Sequence, residues 1–156
     1  MTALSVNPKP THINCHSGSD EFSQRDAEVY FQEALKLEAE LYPGHISHET
    51  HRGRVFYSPW TTLSILERFP NLRITLDLAH WTLVAERLIS PEVISLAIGR
   101  TSHLHARVGT PEVVQITNPE DEVNKKWTQG HMEVWEAVWR AQQNTGAQFT
   151  TLTPGN

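Results

Sequence analysis

Apolar positions along the chain follow two patterns in turn, one typical of strands and one typical of amphipathic helices. Short apolar or alternating runs predict five strands, at residues 11–16, 45–48, 72–78, 101–108 and 148–153. The intervening segments, where apolar residues recur at helical spacing, predict helices at residues 23–41, 58–69, 80–88, 90–99 and 126–143. Strands that alternate with helices predict an α/β fold built on a parallel sheet.

Polar and turn-forming residues mark the ends of several predicted helices. Ser23 is a predicted N-cap, and Ser58 is another, because Pro59 follows it at the first helical position. Gly146 is predicted to stop the last helix. The first helix carries a predicted inward face made of Ala27, Tyr30, Phe31, Ala34, Leu35 and Leu41. The last helix carries one made of Trp127, Val134, Trp135, Val138 and Trp139.

The predicted strand ends recur along the chain at intervals of about 30 residues, which is the length of one βα unit. No glycine-rich dinucleotide loop and no Walker loop follows any predicted strand, so the pattern disfavours a nucleotide-binding doubly wound sheet. The regular spacing favours a single domain over residues 1–156.

Composition narrows the functional classes. The chain has 156 residues, of which 38% are hydrophobic and 20% charged, as in a globular domain. No apolar run approaches the roughly 20 residues that a membrane-spanning helix needs, and the start lacks the apolar core of a secretory signal. Together with a lone cysteine, Cys15, this leads us to expect a cytoplasmic protein with no membrane partner. The formal charge of −5 disfavours nucleic acid as a general partner.

Residues that can bind a metal ion or move a proton close four consecutive predicted strands. They are His16, Glu49, Asp77 with His80, and His105. A mixed set of carboxylates and imidazoles suits a divalent cation such as Mn²⁺, Mg²⁺, Co²⁺ or Zn²⁺. Any one of these residues taken alone has a plainer interpretation, since loops are polar and a glutamate near two arginines is readily ion-paired. Asp77 is harder to dismiss, because it follows an apolar run and an unpaired buried carboxylate is costly.

His103 and His105 are two residues apart in a predicted strand, so both side chains point to one face of it. We expect one of them to be a ligand and the other to be packed.

Three motifs together resemble the sugar phosphate isomerase/epimerase family. They are HETHR at residues 48–52, LDLAHW at 76–81 and HLHARVG at 103–109, with NCHSG at 14–18 fitting the preceding strand. That family has the xylose isomerase-like TIM barrel, which endonuclease IV and tagatose epimerase share. The resemblance spans residues 11–154, and it implies a partial (β/α)8 barrel with about five βα units that correspond to strands 4–8.

The resemblance also implies roles for individual residues. The implied metal ligands are Glu49, Asp77 and His105. The implied catalytic residues are Glu49, as both ligand and base, and His80. The implied substrate-binding residues are His16 and His80, while Arg52, Arg54 and Arg107 match no family motif cleanly and are candidates for holding hydroxyls or a phosphate. The implied partner is a small-molecule sugar or sugar phosphate.

Two departures from the family pattern matter for activity. The fourth ligand of the family is a glutamate in a Thr-Pro-Glu sequence, and here Gly155 follows Thr153 and Pro154. Five strands also cannot close a barrel, so the sheet would have open edges through which copies could associate as a homo-oligomer. We therefore expect weak or no turnover from this chain by itself.

Three functions remain open from the sequence. The first is aldose–ketose isomerisation or epimerisation by proton transfer next to a carbonyl group. The second is a metal-dependent hydrolase, such as an endonuclease of the same fold. The third is a non-catalytic or degenerate barrel that binds metal or a partner.

Overall fold

The computed structural model describes residues 7–155, in which strands and helices alternate along the chain. The strands are β1 (Ile13–Cys15), β2 (Ile46–Glu49), β3 (Ile74–Leu76), β4 (Thr101–Ala106) and β5 (Leu152–Pro154). The helices are α1 (Gln24–Leu41), α2 (Pro59–Arg68), α3 (Leu78–Ala85), α4 (Ser95–Arg100) and α5 (Lys125–Asn144), the last preceded by a 3-10 turn at Glu122–Asn124. Within this part of the chain, no helix combines the length and the apolar character needed to cross a membrane.

All five strands form one parallel sheet in the order β1-β2-β3-β4-β5. Each strand thus pairs with the next strand along the chain, and a helical crossover lies between them. This arrangement confirms the predicted α/β class and its repeated βα units. Strands β1 and β5 form the two edges of the sheet, and association of copies through these edges stays a prediction.

Side chains at the helix starts explain where three of the helices begin. Ser23 caps α1 in a capping box with Asp26, and Ser58 caps α2 directly before Pro59, as predicted. Helix α3 starts at Leu78, two residues earlier than predicted, because the Asp77 side chain accepts a hydrogen bond from the backbone N–H of Ala79. The sequence interpretation treated Asp77 as a strand end, and it is also the N-cap of the following helix.

The hydrophobic core lies between the helices and one face of the sheet. Its fully buried side chains include Phe31, Leu66, Ile74, Leu104 and Val138. These residues come from both helices and strands, so the helices are held against the sheet by apolar burial rather than by surface ion pairs.

Two predicted core positions are wrong. Leu41, the last residue of α1, is 57% exposed, and the fully buried positions of that helix are Ala27 and Phe31. Trp139 is 36% exposed, because the buried stripe of α5 follows His131, Val134 and Val138 and leaves Trp139 on its flank.

The opposite face of the sheet is polar. Ser47 and Thr75, from neighbouring strands, are fully buried, and their hydroxyl oxygens lie 2.5 Å apart. His12 lies 2.7 Å from the Ser47 hydroxyl, and its ring stacks on that of His103 at a centroid distance of 4.8 Å. His103 is packed in this polar layer, whereas His105, one pleat further along β4, lies at the carboxyl end of the sheet. His103 is thus the packed histidine of the two, and a ligand role for His105 stays a prediction.

Candidate metal centre

Glu49 is the last residue of β2, and its side chain is only 3% exposed. Its Oε2 accepts hydrogen bonds from Asn14 Nδ2 at 2.5 Å and from His16 Nε2 at 3.0 Å, and its Oε1 lies 3.4 Å from His105 Nδ1. Burial alone would raise the pKa of Glu49, but the hydrogen bonds from His105 and Asn14 outweigh it and lower the pKa to about 2. Glu49 is therefore ionised at neutral pH.

Asp77 follows β3 directly, and its side chain is fully buried. Its Oδ2 accepts hydrogen bonds from Arg107 Nε at 2.9 Å and Nη2 at 2.5 Å, while Thr50 Oγ1 accepts from the Asp77 backbone N–H at 2.8 Å. Burial raises the pKa of Asp77, but the contact with His105 and the hydrogen bonds from Arg107 outweigh it and hold the pKa below its usual value. The cost of burying this carboxylate is thus offset by charged partners.

His105 lies near the end of β4, between the two carboxylates. Its Nδ1 is 3.4 Å from Glu49 Oε1 and 3.6 Å from Asp77 Oδ2. Burial lowers the pKa of His105, but contact with Asp77 and Glu49 outweighs it and raises the pKa to about 9. At neutral pH the metal-free protein therefore places one imidazolium proton between two carboxylates.

The donor atoms of Glu49, Asp77 and His105 fit a divalent cation. They all lie within 4.8 Å of one another. With metal–ligand bonds of about 2.0–2.2 Å, adjacent ligands of one ion are about 3.0–3.5 Å apart, close to the 3.4 and 3.6 Å separations found here. Binding would require His105 to lose its proton and Arg107 to share or give up Asp77 Oδ2. The three residues implied as ligands are thus brought together, and their donor set suits a cation that accepts both oxygen and nitrogen.

His80 lies behind this cluster rather than in its opening. The residue is 2% exposed, and its Nε2 accepts a hydrogen bond from Arg107 Nη2 at 2.7 Å and lies 3.8 Å from Asp77 Oδ2. Burial, chiefly, lowers the pKa of His80 to about 4, so the ring is neutral. Its ring centroid is 3.9 Å from that of His51. In this geometry His80 orients Arg107, and its contact with a substrate stays a prediction.

A cleft of about 340 Å³ opens over the cluster at the carboxyl end of the sheet. This volume is in the range of small-molecule sites. The cleft is lined by His16, Glu49, His51, His105, Arg107, Gln115, Thr153, Pro154 and Gly155. Two of the predicted substrate-binding residues, His16 and Arg107, therefore reach the cleft.

The other two arginines lie elsewhere. Arg52 is exposed, and it is not among the cleft-lining residues of the described chain. Arg54 donates a hydrogen bond to the backbone oxygen of Gly18 at 3.3 Å, which ties two loops together. The structure thus supports a site role for Arg107 alone among the three arginines, and Arg52 as a substrate contact stays a prediction.

Sequence reasoning missed three residues of the site. Asn14 could have been found, because it lies in β1 two residues before His16, the spacing that places side chains on the same side of an extended segment. His51 follows Glu49 by two residues, but its direction depends on the turn after β2. Gln115 lies in the irregular segment after β4, where the sequence carries no periodic signal.

The comparisons with known proteins bear on the fold. No family model matches the sequence, and no curated protein matches it. Among solved structures, the chain is similar to the probable 3-DHS dehydratase AsbF, involved in petrobactin synthesis in Bacillus anthracis, with a TM-score of 0.56 and 19% identity. The match covers 94% of this chain and 57% of that chain, so this chain spans a little over half the length of that protein. The likeness shows the fold, a partial TIM barrel, as predicted.

Proposed function

We propose that this chain carries the metal-binding part of a divalent-cation-dependent enzyme that moves a proton next to the carbonyl group of a sugar or sugar phosphate. The reaction would be an isomerisation or epimerisation. The observation that carries the proposal is the convergence of Glu49, Asp77 and His105 under a cleft of sugar size. A divalent cation held there would polarise the carbonyl and hydroxyl oxygens of the substrate.

Glu49 is the candidate base, since it is the single carboxylate among the cleft-lining residues in the described chain. Its pKa of about 2 makes it a better ligand than base, because a general base works best with a pKa near the working pH. The family that the motifs resemble has a glutamate as its fourth ligand, where this chain has Gly155. We therefore expect proton exchange to be detectable before net turnover is.

Arg107 is the candidate contact for an anionic group of the substrate. Its guanidinium lies at the edge of the cleft, with 23% of the side chain exposed. Bidentate geometry makes arginine well suited to a phosphate. If Asp77 held a cation, Arg107 would lose its present partner and be free for this role, so we expect the metal to bind before the anionic substrate.

A dehydratase is the second candidate function. The similar solved structure is that of a probable dehydratase with the same fold. Loss of water from a hydroxylated carbonyl compound begins with the same removal of a proton next to the carbonyl group, so the same residues would serve either outcome.

The test is proton exchange in D2O. The protein is incubated with Mn²⁺ or Co²⁺ and a panel of aldoses, ketoses and their phosphates, and the products are followed by NMR. Deuterium at the carbon next to the carbonyl, with a new isomer, supports the isomerase or epimerase, whereas new alkene signals support the dehydratase. Chelator, Glu49→Gln and Asp77→Asn should each abolish the exchange. Exchange that persists in these controls, or no exchange with any substrate, would overturn the proposal.

A further inference from the structure

A second cavity, of about 380 Å³, lies between the loops that follow β1 and β2 and the N-terminal parts of α1 and α2. We infer that it binds an organic ammonium ion, which is a small molecule with a positively charged nitrogen on an apolar body. The cavity shares no lining residue with the cleft over Glu49, Asp77 and His105. The inference therefore does not rest on the proposed function, and either can fail without the other.

Three aromatic side chains, Phe22, Tyr57 and Trp60, form part of the cavity wall. Two of them are open to solvent, since Phe22 is 40% and Trp60 is 49% exposed. The face of an aromatic ring carries partial negative charge and attracts a cation placed over it, and indole does so best. Trp60 already makes such a contact, because the guanidinium carbon of Arg87, a residue outside the cavity wall, lies 5.3 Å from its ring centroid. An aromatic wall of this kind suits a cation with apolar substituents.

The cavity wall is held in place by contacts within the protein. The Phe22 ring packs edge-on against Tyr30 at a centroid distance of 6.1 Å. Gly18 lies so close to Phe22 that a Cβ at Gly18 would be 2.9 Å from the ring. Helices α1 and α2 are linked at the wall, because Gln24 Nε2 donates a hydrogen bond to Ser64 Oγ at 3.3 Å. A site that is formed before its ligand arrives loses less entropy on binding.

The charge of the cavity wall favours a cation. Asp20 is the single charged side chain of the wall in the described part of the chain, where no lysine, arginine or histidine lines it. Helix N-termini attract anions, but the start of α1 already has a carboxylate, since Asp26 Oδ2 accepts hydrogen bonds from the Ser23 backbone N–H at 3.3 Å and from its hydroxyl at 2.6 Å. Ser58 caps α2 in turn. An anionic ligand would therefore meet carboxylates and no basic partner.

The donor set of the wall also separates an organic cation from a metal ion. One carboxylate with no imidazole is a poor set of metal ligands, and the aromatic rings offer a metal ion no donor atom. An alkylammonium ion uses both features, with its carbon groups against the rings and its charge near Asp20. The volume of the cavity is in the range of small-molecule sites.

The test is a titration with choline, followed by NMR spectra that resolve the N–H groups of the backbone and of the indole rings. Dimethylbutanol, in which carbon replaces the choline nitrogen, has the same shape without the charge, and dimethylbutyrate carries the opposite charge. We expect choline to shift the signals of residues 19–24 and 57–65 saturably, and to bind about tenfold more tightly than dimethylbutanol. Dimethylbutyrate should bind no more tightly than the alcohol.

Variants assign the binding to individual side chains of the wall. Trp60→Leu keeps an apolar side chain but removes the ring, and it should weaken choline binding about tenfold. Asp20→Asn removes an exposed charge and should weaken it about threefold. Trp139→Leu and Glu21→Gln are the matched controls, because Trp139 is an exposed indole and Glu21 an exposed carboxylate beside Asp20, and neither lines the cavity. Both controls should bind choline as the wild type does.

The alternatives give different results. Equal affinity for choline and dimethylbutanol would overturn the inference in favour of a cavity that takes up apolar groups in general. Tighter binding of dimethylbutyrate would overturn it in favour of an anion site at the helix starts. It would also be overturned if choline caused no saturable shift at the cavity residues, or if Trp60→Leu bound choline as tightly as the wild type. Circular dichroism checks folding, and Phe22→Leu decides if Trp60→Leu fails to fold.

Discussion

Asp77→Asn replaces one fully buried carboxylate by an amide of nearly the same size. In metal-free protein the change removes the anionic partner of Arg107, which donates two hydrogen bonds to Asp77 Oδ2. Asparagine is as good an N-cap as aspartate, so the hydrogen bond to the backbone N–H of Ala79 is kept. The variant therefore isolates the loss of charge from the loss of the cap.

The expected loss of stability follows from burial. Removing one partner of a buried ion pair costs about 3–5 kcal/mol. The amide oxygen keeps the bond from Ala79, which places the amide NH2 against Arg107. Because Arg107 is 23% exposed and can turn to water, we expect a loss of about 2–3 kcal/mol in the free energy of unfolding. For a domain of this size this lowers the Tm by roughly 4–12 °C.

Added metal should increase the difference in Tm between the wild type and Asp77→Asn. A cation at 100 times its Kd stabilises the wild type by about 2.7 kcal/mol, or roughly 5–11 °C in Tm. Asp77→Asn should lose most of that rise, because one of its three ligands becomes a neutral amide. MnCl2 is the cation to use, since a set with two carboxylates suits Mn²⁺.

The assay is thermal unfolding by circular dichroism with and without saturating MnCl2. Asp20→Asn, at an exposed carboxylate, is the matched control and should behave as the wild type in both conditions. A full metal-induced rise in Asp77→Asn would refute Asp77 as a ligand. An unchanged Tm in the metal-free variant would refute the stabilising role of its pair with Arg107.

Three further predictions concern the scaffold of the site. His131 is fully buried, and burial is the main cause that lowers its pKa. Its contribution to stability is therefore present above its unfolded pKa of about 6.5 and is lost as the pH falls below that value, by up to about 1.4 kcal/mol per pH unit. Urea unfolding between about pH 7.5 and 5 should show a shallower loss of stability in His131→Gln than in the wild type, and equal slopes would contradict this. Gly109→Ala would put a Cβ 2.8 Å from Ala79 Cβ and 3.0 Å from its Cα, which should lower the free energy of unfolding in urea by about 1–3 kcal/mol. Gly99→Ala is the control, because its Cβ would meet nothing within 4 Å and the change should cost nothing. Equal stabilities of the two variants would show that the loop after β4 can move away. Ser58→Ala removes the N-cap of α2 and should lower the free energy of unfolding by about 1 kcal/mol, and a change near zero would mean that Pro59 alone sets the start of the helix.

The convergence of Glu49, Asp77 and His105 could be predicted because each lies at the carboxyl end of a predicted strand. Carboxyl ends of parallel strands meet at one edge of a sheet, so three positions along the sequence become one position in space. That His103 and His105 point to the same face of their strand could be predicted from their spacing of two residues. These predictions depend only on strand direction and pleat, which local sequence determines.

Features that depend on tertiary packing could not be predicted from the sequence. The pairing of Arg107 with Asp77 and His80 joins residues that are 27 to 30 positions apart along the chain, and no local pattern signals it. The direction of His51 depends on a turn outside regular structure. Exposure of Trp139 follows from how α5 is rotated against the sheet, and helical periodicity alone leaves flanking positions undecided.

The central claim is that Glu49, Asp77 and His105 hold one divalent cation, and anomalous X-ray scattering from crystals soaked in MnCl2 tests it most directly. We predict a manganese peak within bonding distance, about 2.0–2.3 Å, of Glu49 Oε1, Asp77 Oδ2 and His105 Nδ1, with Arg107 displaced from Asp77. Crystals with manganese bound only elsewhere, or with Arg107 still paired to Asp77 and no peak between the carboxylates, would contradict it.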